Sequence, residues 1–184
     1  MSEKSHNAVS FKGLIVLLGY MGCGKSTVGR LLADQLKIPF VDLDQHIEID
    51  LGVSVSEIFA QRGALFFRQE EHKHLNLILG SHASMVLSLG GGAPCYHDNM
   101  ELIDRTTKNT FYLAPTVPEL ANRLFPKRPK RPLIAHIQSL EEMSEFIAKH
   151  IFERSPFYEK AQHTLRMDAE KPEDVVELIL EKLS

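Results

Sequence analysis

The spacing of apolar residues predicts strands that alternate with helices along the chain. Leu14–Leu18 is an unbroken apolar run, which is typical of a strand buried on both faces of a parallel sheet. After a glycine-containing segment, Val28, Leu31, Leu32 and Leu36 recur at helical spacing. The N-terminal part therefore predicts a strand, a glycine-rich turn and an amphipathic helix.

Four more segments predict strands and six predict helices. The predicted strands are IPFVDLD (38–44), SMVLSLGGG (84–92), NTFYLA (109–114) and HTLRMD (163–168). One predicted helix begins at Ser54, where Glu57 completes a capping box, and a second covers about 64–79 and is ended by Gly80. The other predicted helices cover 97–104, 117–125, 139–152 and 173–183. Parallel neighbours require crossover connections, so this alternation predicts an α/β fold: one domain with a central parallel five-stranded sheet flanked by helices.

The turn after the first strand carries a phosphate-binding motif. Gly19, Gly24, Lys25 and Ser26 fit the template GxxxxGK[ST], which wraps backbone N–H groups around a triphosphate. Lysine supplies a charge for the β- and γ-phosphates, and the serine hydroxyl is placed to bind Mg²⁺. An ordinary glycine-rich turn with an exposed lysine is the alternative, but the flanking strand and helix favour a phosphate site. The predicted ATP-binding residues are Gly22, Cys23, Gly24, Lys25, Ser26 and Thr27.

Two carboxylates are predicted to close the second strand. Asp42 and Asp44 are alternate residues, and alternate residues of an extended chain share one face. We interpret Asp42 as the carboxylate on the Mg²⁺ side, acting through water together with Ser26. Asp44 lies further out, where it would orient or deprotonate an acceptor hydroxyl. The alternative is that one of the two aspartates only caps the following helix.

The predicted third strand ends in three glycines. Gly90, Gly91 and Gly92 give up side-chain packing, which close approach of a ligand explains best. The phosphate motif, the aspartates and this glycine triplet all follow strands, and ligands of open parallel sheets gather at the carboxyl ends of the strands. These three segments are therefore expected to meet in one crevice.

A basic segment interrupted by prolines follows the fourth predicted strand. The run NRLFPKRPKRPLI holds five cations, and its prolines oppose a regular helix. Nucleic-acid binding is not favoured, because aromatic residues do not alternate with the cations and the net charge of the chain is −3. We predict a mobile lid at about 123–136 that faces the triphosphate, where an arginine would stabilise charge on the transferred phosphoryl group.

Composition limits the class of protein. The 184 residues are 43% hydrophobic and 24% charged, which is ordinary for one globular domain. Two cysteines, Cys23 and Cys95, do not make a disulfide framework. No apolar run is long enough to span a membrane, and residues 1–10 lack the apolar centre of a signal peptide. We predict a cytoplasmic monomer without nucleic-acid or membrane partners, with a flexible extension at 1–10 and the domain at 11–184.

Six segments together resemble the shikimate kinase family. They are GYMGCGKST, FVDLDQHIE, FFRQEE, VLSLGGGAP, KRPLI and ERSPFYEKA, in this order, and the likeness covers about residues 13–183. The resemblance implies ATP-dependent phosphorylation of the 3-hydroxyl of shikimate, with Mg²⁺, in chorismate and aromatic amino-acid biosynthesis.

The resemblance also implies roles for single residues. Asp44 matches the position that holds the shikimate hydroxyls, and Gly91 matches another position in contact with shikimate. Arg68 and Arg154 match the positions that hold its carboxylate, although without the resemblance Arg68 would be a surface partner of Glu71 and Arg154 a solvated helix residue. The resemblance further places Arg131 on the phosphates and Arg123 against adenine. Lys25, Asp44 and Arg131 are the implied catalytic residues.

Two other functions remain open at this level. One is a different small-molecule kinase, such as a gluconate or nucleotide kinase, and the other is a non-catalytic nucleotide-binding module of the same fold. Two arginines around a glycine triplet favour an acceptor that carries a carboxylate. The retention of Lys25, Ser26, Asp42, Asp44 and Arg131 favours catalysis, because a module without catalysis has no need of the whole set.

Overall fold

A computed structural model describes residues 11–167 and 170–183 of the chain. The predicted extension at 1–10 and Asp168, the last residue of the fifth predicted strand, lie outside these residues. Five strands form one sheet in the order β2-β3-β1-β4-β5, and every neighbouring pair is parallel. The strands are β1 (Leu14–Leu18), β2 (Phe40–Asp42), β3 (Met85–Ser88), β4 (Thr110–Pro115) and β5 (His163–Met167). The predicted α/β fold with a parallel five-stranded sheet is confirmed.

Seven helices flank the sheet within the described residues. They are α1 (Lys25–Leu36), α2 (Leu43–Leu51), α3 (Val55–Gly80), α4 (Asn99–Thr106), α5 (Val117–Leu124), α6 (Leu140–Tyr158) and α7 (Pro172–Leu183). Short 3₁₀ turns cover Ala93–Cys95, Phe125–Lys130 and Pro132–Ile134. No helix in the described ranges is both long and apolar enough to cross a membrane.

Local sequence signals explain the boundaries of α3. Ser54 caps its first turn, and the Glu57 side chain accepts a hydrogen bond from the Ser54 N–H, which completes the predicted capping box. Gly63 has non-helical dihedrals (φ 79°, ψ 173°), so α3 consists of two helical segments joined at a kink. The two separate helices predicted on either side of this position are therefore continuous in space but bent at Gly63.

The position of Asp44 differs from the prediction. The second strand ends at Asp42, whose side chain accepts a hydrogen bond from Gln45 N and caps α2, so Asp44 lies in the first turn of that helix. A carboxylate at the N-cap accepts a hydrogen bond from a backbone N–H group of the first helical turn that would otherwise be unpaired. This interaction favours the start of a helix at this point over an extension of the strand. The alternation argument for the two carboxylates was thus wrong, although both still lie at the carboxyl end of β2.

The proline-rich basic segment is more regular than predicted. Its prolines exclude an α-helix, but the chain forms two successive 3₁₀ turns, which need only short-range hydrogen bonds. Arg131 lies between them, and its N–H donates to Arg128 O at 2.9 Å. The segment joins α5 to α6, as the order of predicted elements indicated.

The sheet brings three strand ends together at one edge. Leu17 of β1 and Asp42 of β2 are both in register with Ser88 of β3, and β1 is completely buried. The phosphate motif follows β1, and the glycine triplet begins two residues after Ser88. The predicted meeting of these segments in one crevice follows directly from the strand order.

Candidate active site

The phosphate loop connects β1 to α1 and is closed by its own lysine. Gly24, at the N-terminus of α1, has a φ of 102°, a conformation that a residue with a side chain rarely adopts. Lys25 is only 9% exposed, and its Nζ donates hydrogen bonds to Gly19 O at 2.8 Å and Tyr20 O at 3.1 Å. The ammonium group is therefore fixed over the loop in which the motif predicts phosphates.

The side chain of Cys23 takes no part in the surface of this loop. It is completely buried, and its Sγ lies 3.6 Å from Lys25 Nζ and close to Gly19. Only the backbone of Cys23 is in a position to contact a phosphate. The small side chain at this position thus serves packing beneath the loop.

Ser26 and Asp42 present two oxygen donors beside the loop. Ser26 Oγ donates to Asp42 Oδ2 at 2.9 Å, although the two residues are sixteen positions apart in sequence. Hydroxyl and carboxylate oxygens suit Mg²⁺, which usually binds one or two protein oxygens together with water and substrate phosphates. In the described part of the chain, no group of three or more histidine, cysteine or acidic side chains is arranged to hold a metal. The residues therefore fit a Mg²⁺ ion shared with a nucleotide.

Asp44 points into the crevice from the first turn of α2. Its Oδ1 is buried and has no hydrogen-bond partner among the described residues. Burial, reinforced by the neighbouring charge of Asp42, raises the pKa of Asp44 to about 6, while Lys25 and Arg68 oppose the increase. A carboxylate whose pKa is near neutrality is suited to accept a proton from a hydroxyl.

The glycine triplet makes room for charged side chains. A Cβ on Gly90 would lie 2.6 Å from Asp44 Oδ1 and 2.8 Å from Glu71 Oε1, and a Cβ on Gly92 would overlap the guanidinium of Arg68. At Gly91 the neighbouring side-chain atom is Arg154 Nη1, at 3.8 Å. Charged groups from α2, α3 and α6 therefore converge on three consecutive glycines. The sequence predicted ligand approach at this place, and the structure shows that protein side chains also use the space.

Glu71 anchors Arg68 from below and is not a surface residue. Its carboxylate is completely buried and forms an ion pair with the Arg68 guanidinium, while Arg68 is 22% exposed. Burial raises the pKa of Glu71 to about 7, although Arg68 lowers it. Glu71 Oε1 has no hydrogen-bond partner among the described residues. The interpretation of this pair as an exposed helical ion pair was wrong.

Arg154 reaches the triplet from α6. Its Nη1 donates to Gly91 O at 3.4 Å, and Tyr158, one turn further along α6, donates its hydroxyl hydrogen to the same oxygen. Arg68 and Arg154 thus lie next to adjacent glycines of the triplet, Arg68 at Gly92 and Arg154 at Gly91. Two guanidinium groups in this arrangement match the planar, two-oxygen geometry of a carboxylate.

The basic segment forms one wall of a cavity in front of the phosphate loop. This cavity has a volume of about 590 Å³ and is lined by Met21, Ser56, Lys127, Lys130, Arg131, Pro132 and Leu133. Arg123 pairs with Glu119 on α5, and its Nη1 lies 3.9 Å from the position of a Cβ on Gly24. Arg123 is therefore next to the N-terminus of α1, and Arg131 faces the loop across the cavity.

The comparisons with known proteins agree with this geometry. The family model described as shikimate kinase matches residues 21–184. The chain belongs to the shikimate kinase family. A shikimate kinase from Flavobacterium johnsoniae is 45% identical over 170 residues, which cover 92% of this chain and 98% of the relative.

Solved shikimate kinase structures share the fold over nearly the whole chain. The crystal structure of the enzyme from Bacteroides thetaiotaomicron has a TM-score of 0.83 at 36% identity and covers 93% of this chain and 98% of its own. The structure of the enzyme from Acinetobacter baumannii, in complex with shikimate, has a TM-score of 0.83 at 32% identity. The match covers 96% of this chain and 95% of the Acinetobacter chain. The resemblance stated from the six sequence segments is confirmed.

Some residues of the candidate site in this shikimate kinase were not recognised from the sequence. The spacing of Arg68 and Glu71 was visible, but their burial depends on the glycine triplet, which is distant in the chain. Tyr20 and Tyr158 gave no signal, because an aromatic residue beside a motif is usually a core residue. An acid three residues from an arginine, combined with a distant glycine run, is the sequence pattern that would have pointed to Glu71.

The buried Glu71 predicts a pH-dependent stability difference in this member of the shikimate kinase family. Its folded-state pKa is raised, so its contribution to stability is present below its unfolded value of 4.5 and is lost as pH rises through about 7. The variant Glu71→Gln does not titrate. Its unfolding free energy relative to that of the wild type should therefore increase between pH 4.5 and 7.

Urea unfolding of both proteins at pH 4.5, 6 and 8 measures this difference. Glu145→Gln is the matched control, since Glu145 is an exposed acid in the middle of a helix, α6. A constant difference between Glu71→Gln and wild type across this range would contradict the assigned burial of an ionisable carboxylate.

Proposed function

We propose that the chain transfers the γ-phosphoryl group of ATP to the 3-hydroxyl of shikimate, in the pathway that leads to chorismate and the aromatic amino acids. Membership of the shikimate kinase family supports the reaction. The observation that carries the assignment of the site is the convergence of Arg68, Arg154 and Asp44 on the glycine triplet, beside the phosphate loop. A carboxylate-bearing polyol acceptor fits two guanidinium groups and one carboxylate.

We assign the nucleotide to the phosphate loop and the residues around it. The backbone of Gly22–Thr27 and the N-terminus of α1 hold the phosphates, and the Lys25 ammonium contacts the β- and γ-phosphates. Arg123 lies against the nucleotide base. Ser26 and, through water, Asp42 hold Mg²⁺, which neutralises charge on the phosphates when it is bound.

We assign shikimate to the depression over the glycine triplet. Arg68, fixed by Glu71, and Arg154, fixed by Gly91 O, bind the shikimate carboxylate from two sides. Gly90, Gly91 and Gly92 form the floor, and Asp44 contacts the hydroxyls. In this assignment the carboxylate lies away from the phosphates and the hydroxyls face them.

The chemical step needs a base, an aligned acceptor and charge stabilisation. The 3-oxygen forms a bond to the γ-phosphorus while the bond to the β–γ bridging oxygen breaks, and the hydroxyl proton passes to Asp44. Lys25 and Arg131 stabilise the negative charge that develops on the transferred group. ADP, shikimate 3-phosphate and a proton are the products.

A coupled assay of ADP release across acceptors tests this function. Shikimate should support turnover, whereas gluconate and nucleoside monophosphates should not, because they do not match the arginine pair and the hydroxyl position together. Turnover with gluconate alone would identify a different small-molecule kinase. Nucleotide binding without turnover of any acceptor would indicate a non-catalytic module.

We also propose that residues 123–136 act as a lid within a single domain at 11–184. Lys127, Lys130 and Arg131 form no ion pair within the described residues, and all three line the cavity before the phosphate loop. Bound phosphates would supply the missing negative charge and draw the segment inward. Closure would exclude water from the transferred phosphoryl group.

Hydrogen exchange is expected to report this closure. Amide exchange in residues 124–136 should be fast in the free protein and at least several-fold slower with shikimate and a non-hydrolysable ATP analogue. Residues of α4, which lies away from the cavity, provide the internal control. Equal exchange of residues 124–136 in both states would contradict a lid.

We further propose that the protein works as a cytoplasmic monomer that binds small molecules and neither nucleic acid nor membranes. The acidic net charge of −3 supports the absence of a general attraction to nucleic acid. Light scattering coupled to gel filtration tests the oligomeric state, and a dimer mass would contradict it.

A further inference from the structure

Tyr20 connects the phosphate loop to the helix that carries Arg154. Tyr20 is 1% exposed, and its ring lies under the Arg154 guanidinium, with Arg154 Cζ 5.6 Å from the centroid of the tyrosine ring. Its hydroxyl is hydrogen-bonded to His150 Nδ1 at 3.1 Å. His150 and Arg154 are four residues apart on α6, so they lie on the same face of that helix. A single side chain of the loop therefore contacts two successive turns of α6.

The same residue also contacts the nucleotide side of the site. The backbone carbonyl of Tyr20 accepts a hydrogen bond from Lys25 Nζ at 3.1 Å. The ring of His150 is in turn held by Phe146, at a centroid distance of 4.2 Å. Both ends of the tyrosine are thus fixed by groups that are themselves packed, which limits the movement of its ring.

We propose that Tyr20 is a positioning residue that sets the distance between the phosphate loop and Arg154, and thereby holds the acceptor carboxylate at the correct distance from the phosphoryl donor. The ring supports the guanidinium through a cation–π contact, and the hydroxyl fixes the ring against α6. This inference rests on the proposed function, because it takes Arg154 as a ligand of the acceptor carboxylate.

A tyrosine that only fills the core makes a different set of predictions. Loss of core packing lowers the stability of the protein, and it weakens the binding of both ligands or of neither. A positioning role acts through Arg154, so it should weaken the acceptor selectively. The nucleotide should be spared, because Lys25 contacts the carbonyl of Tyr20 and not its side chain. The two roles are thus separated by measuring both ligands and by changing Arg154.

Calorimetric titration of the full chain with shikimate, and separately with ATP analogue and Mg²⁺, tests the proposal. Tyr20→Leu removes both contacts and should weaken shikimate binding about tenfold, or about 1.4 kcal/mol. Tyr20→Phe keeps the ring beneath Arg154 and should lose only about threefold. Affinity for the ATP analogue should change less than twofold in both variants. Tyr96→Leu is the matched control, since Tyr96 packs on His97 rather than on Arg154.

A double-mutant cycle decides whether the effect passes through Arg154. In an Arg154→Lys background, which retains a cation, Tyr20→Leu should weaken shikimate binding less than twofold. Unchanged shikimate affinity in Tyr20→Leu, or the same tenfold loss in both backgrounds, would overturn the positioning role. A wild-type protein that does not bind shikimate would instead refute the proposed function, and this inference with it.

Discussion

Replacing Asp44 by asparagine is expected to lower kcat with shikimate by about 10²- to 10⁴-fold, the range in which a general base contributes. Asparagine has nearly the same shape and still hydrogen-bonds to a hydroxyl, but it does not accept the proton. KM for shikimate should change much less than kcat, because Arg68 and Arg154 continue to hold the carboxylate. Steady-state kinetics at saturating ATP measure the separation.

The wild-type pH profile provides a second readout of the same residue. Burial and Asp42 raise the pKa of Asp44 to about 6, and only the ionised form accepts a proton. The rate should therefore fall below about pH 6 in the wild type, and this acidic limb should be absent in Asp44→Asn. Asp50→Asn, the same substitution at an exposed position of α2, should retain activity within twofold. Turnover of Asp44→Asn near the wild-type rate would rule out Asp44 as the general base.

Local motifs explain why much of the site could be predicted from the sequence. The phosphate loop requires glycines, a lysine and a serine at fixed spacing between a strand and a helix, and all of these are adjacent in the chain. The carboxyl ends of parallel strands meet at one edge, so the aspartates and the glycine triplet could be assigned to the same crevice. The fold itself followed from the alternation of apolar segments.

The remaining features depend on contacts between distant parts of the chain. Glu71 is buried because Gly90, nineteen residues later, has no side chain to fill that space. Asp44 is helical because Asp42 caps α2 in preference to extending the strand. Cys23 and Tyr20 are buried by the sheet and by α6, neither of which the motif specifies. Periodicity identifies elements, but it does not identify which side chains will oppose each other.

Replacing Lys25 by alanine is expected to reduce phosphoryl transfer by at least about 100-fold, the effect of losing one group that stabilises charge in the transition state. The ammonium is held over the phosphate loop by Gly19 O and Tyr20 O, so its position is fixed before the nucleotide binds. Charge on the γ-phosphoryl oxygens and the leaving oxygen is redistributed as the bond between the γ-phosphorus and the leaving oxygen breaks. A fixed cation stabilises this transition state more than the ground state. The loss should therefore appear mainly in kcat, with a smaller rise in KM for ATP.

Stability and activity must be separated to interpret this variant. Lys25 is buried, and its removal leaves two backbone carbonyls without their donor, which costs about 1–3 kcal/mol unless water replaces it. Circular dichroism and thermal unfolding should show a folded but less stable protein. Lys108→Ala, at the N-terminal side of β4 and paired with Asp104 at the surface, should retain full turnover. A folded Lys25→Ala protein with turnover within tenfold of the wild type would contradict the role of the lysine, since the loop alone would then account for the stabilisation.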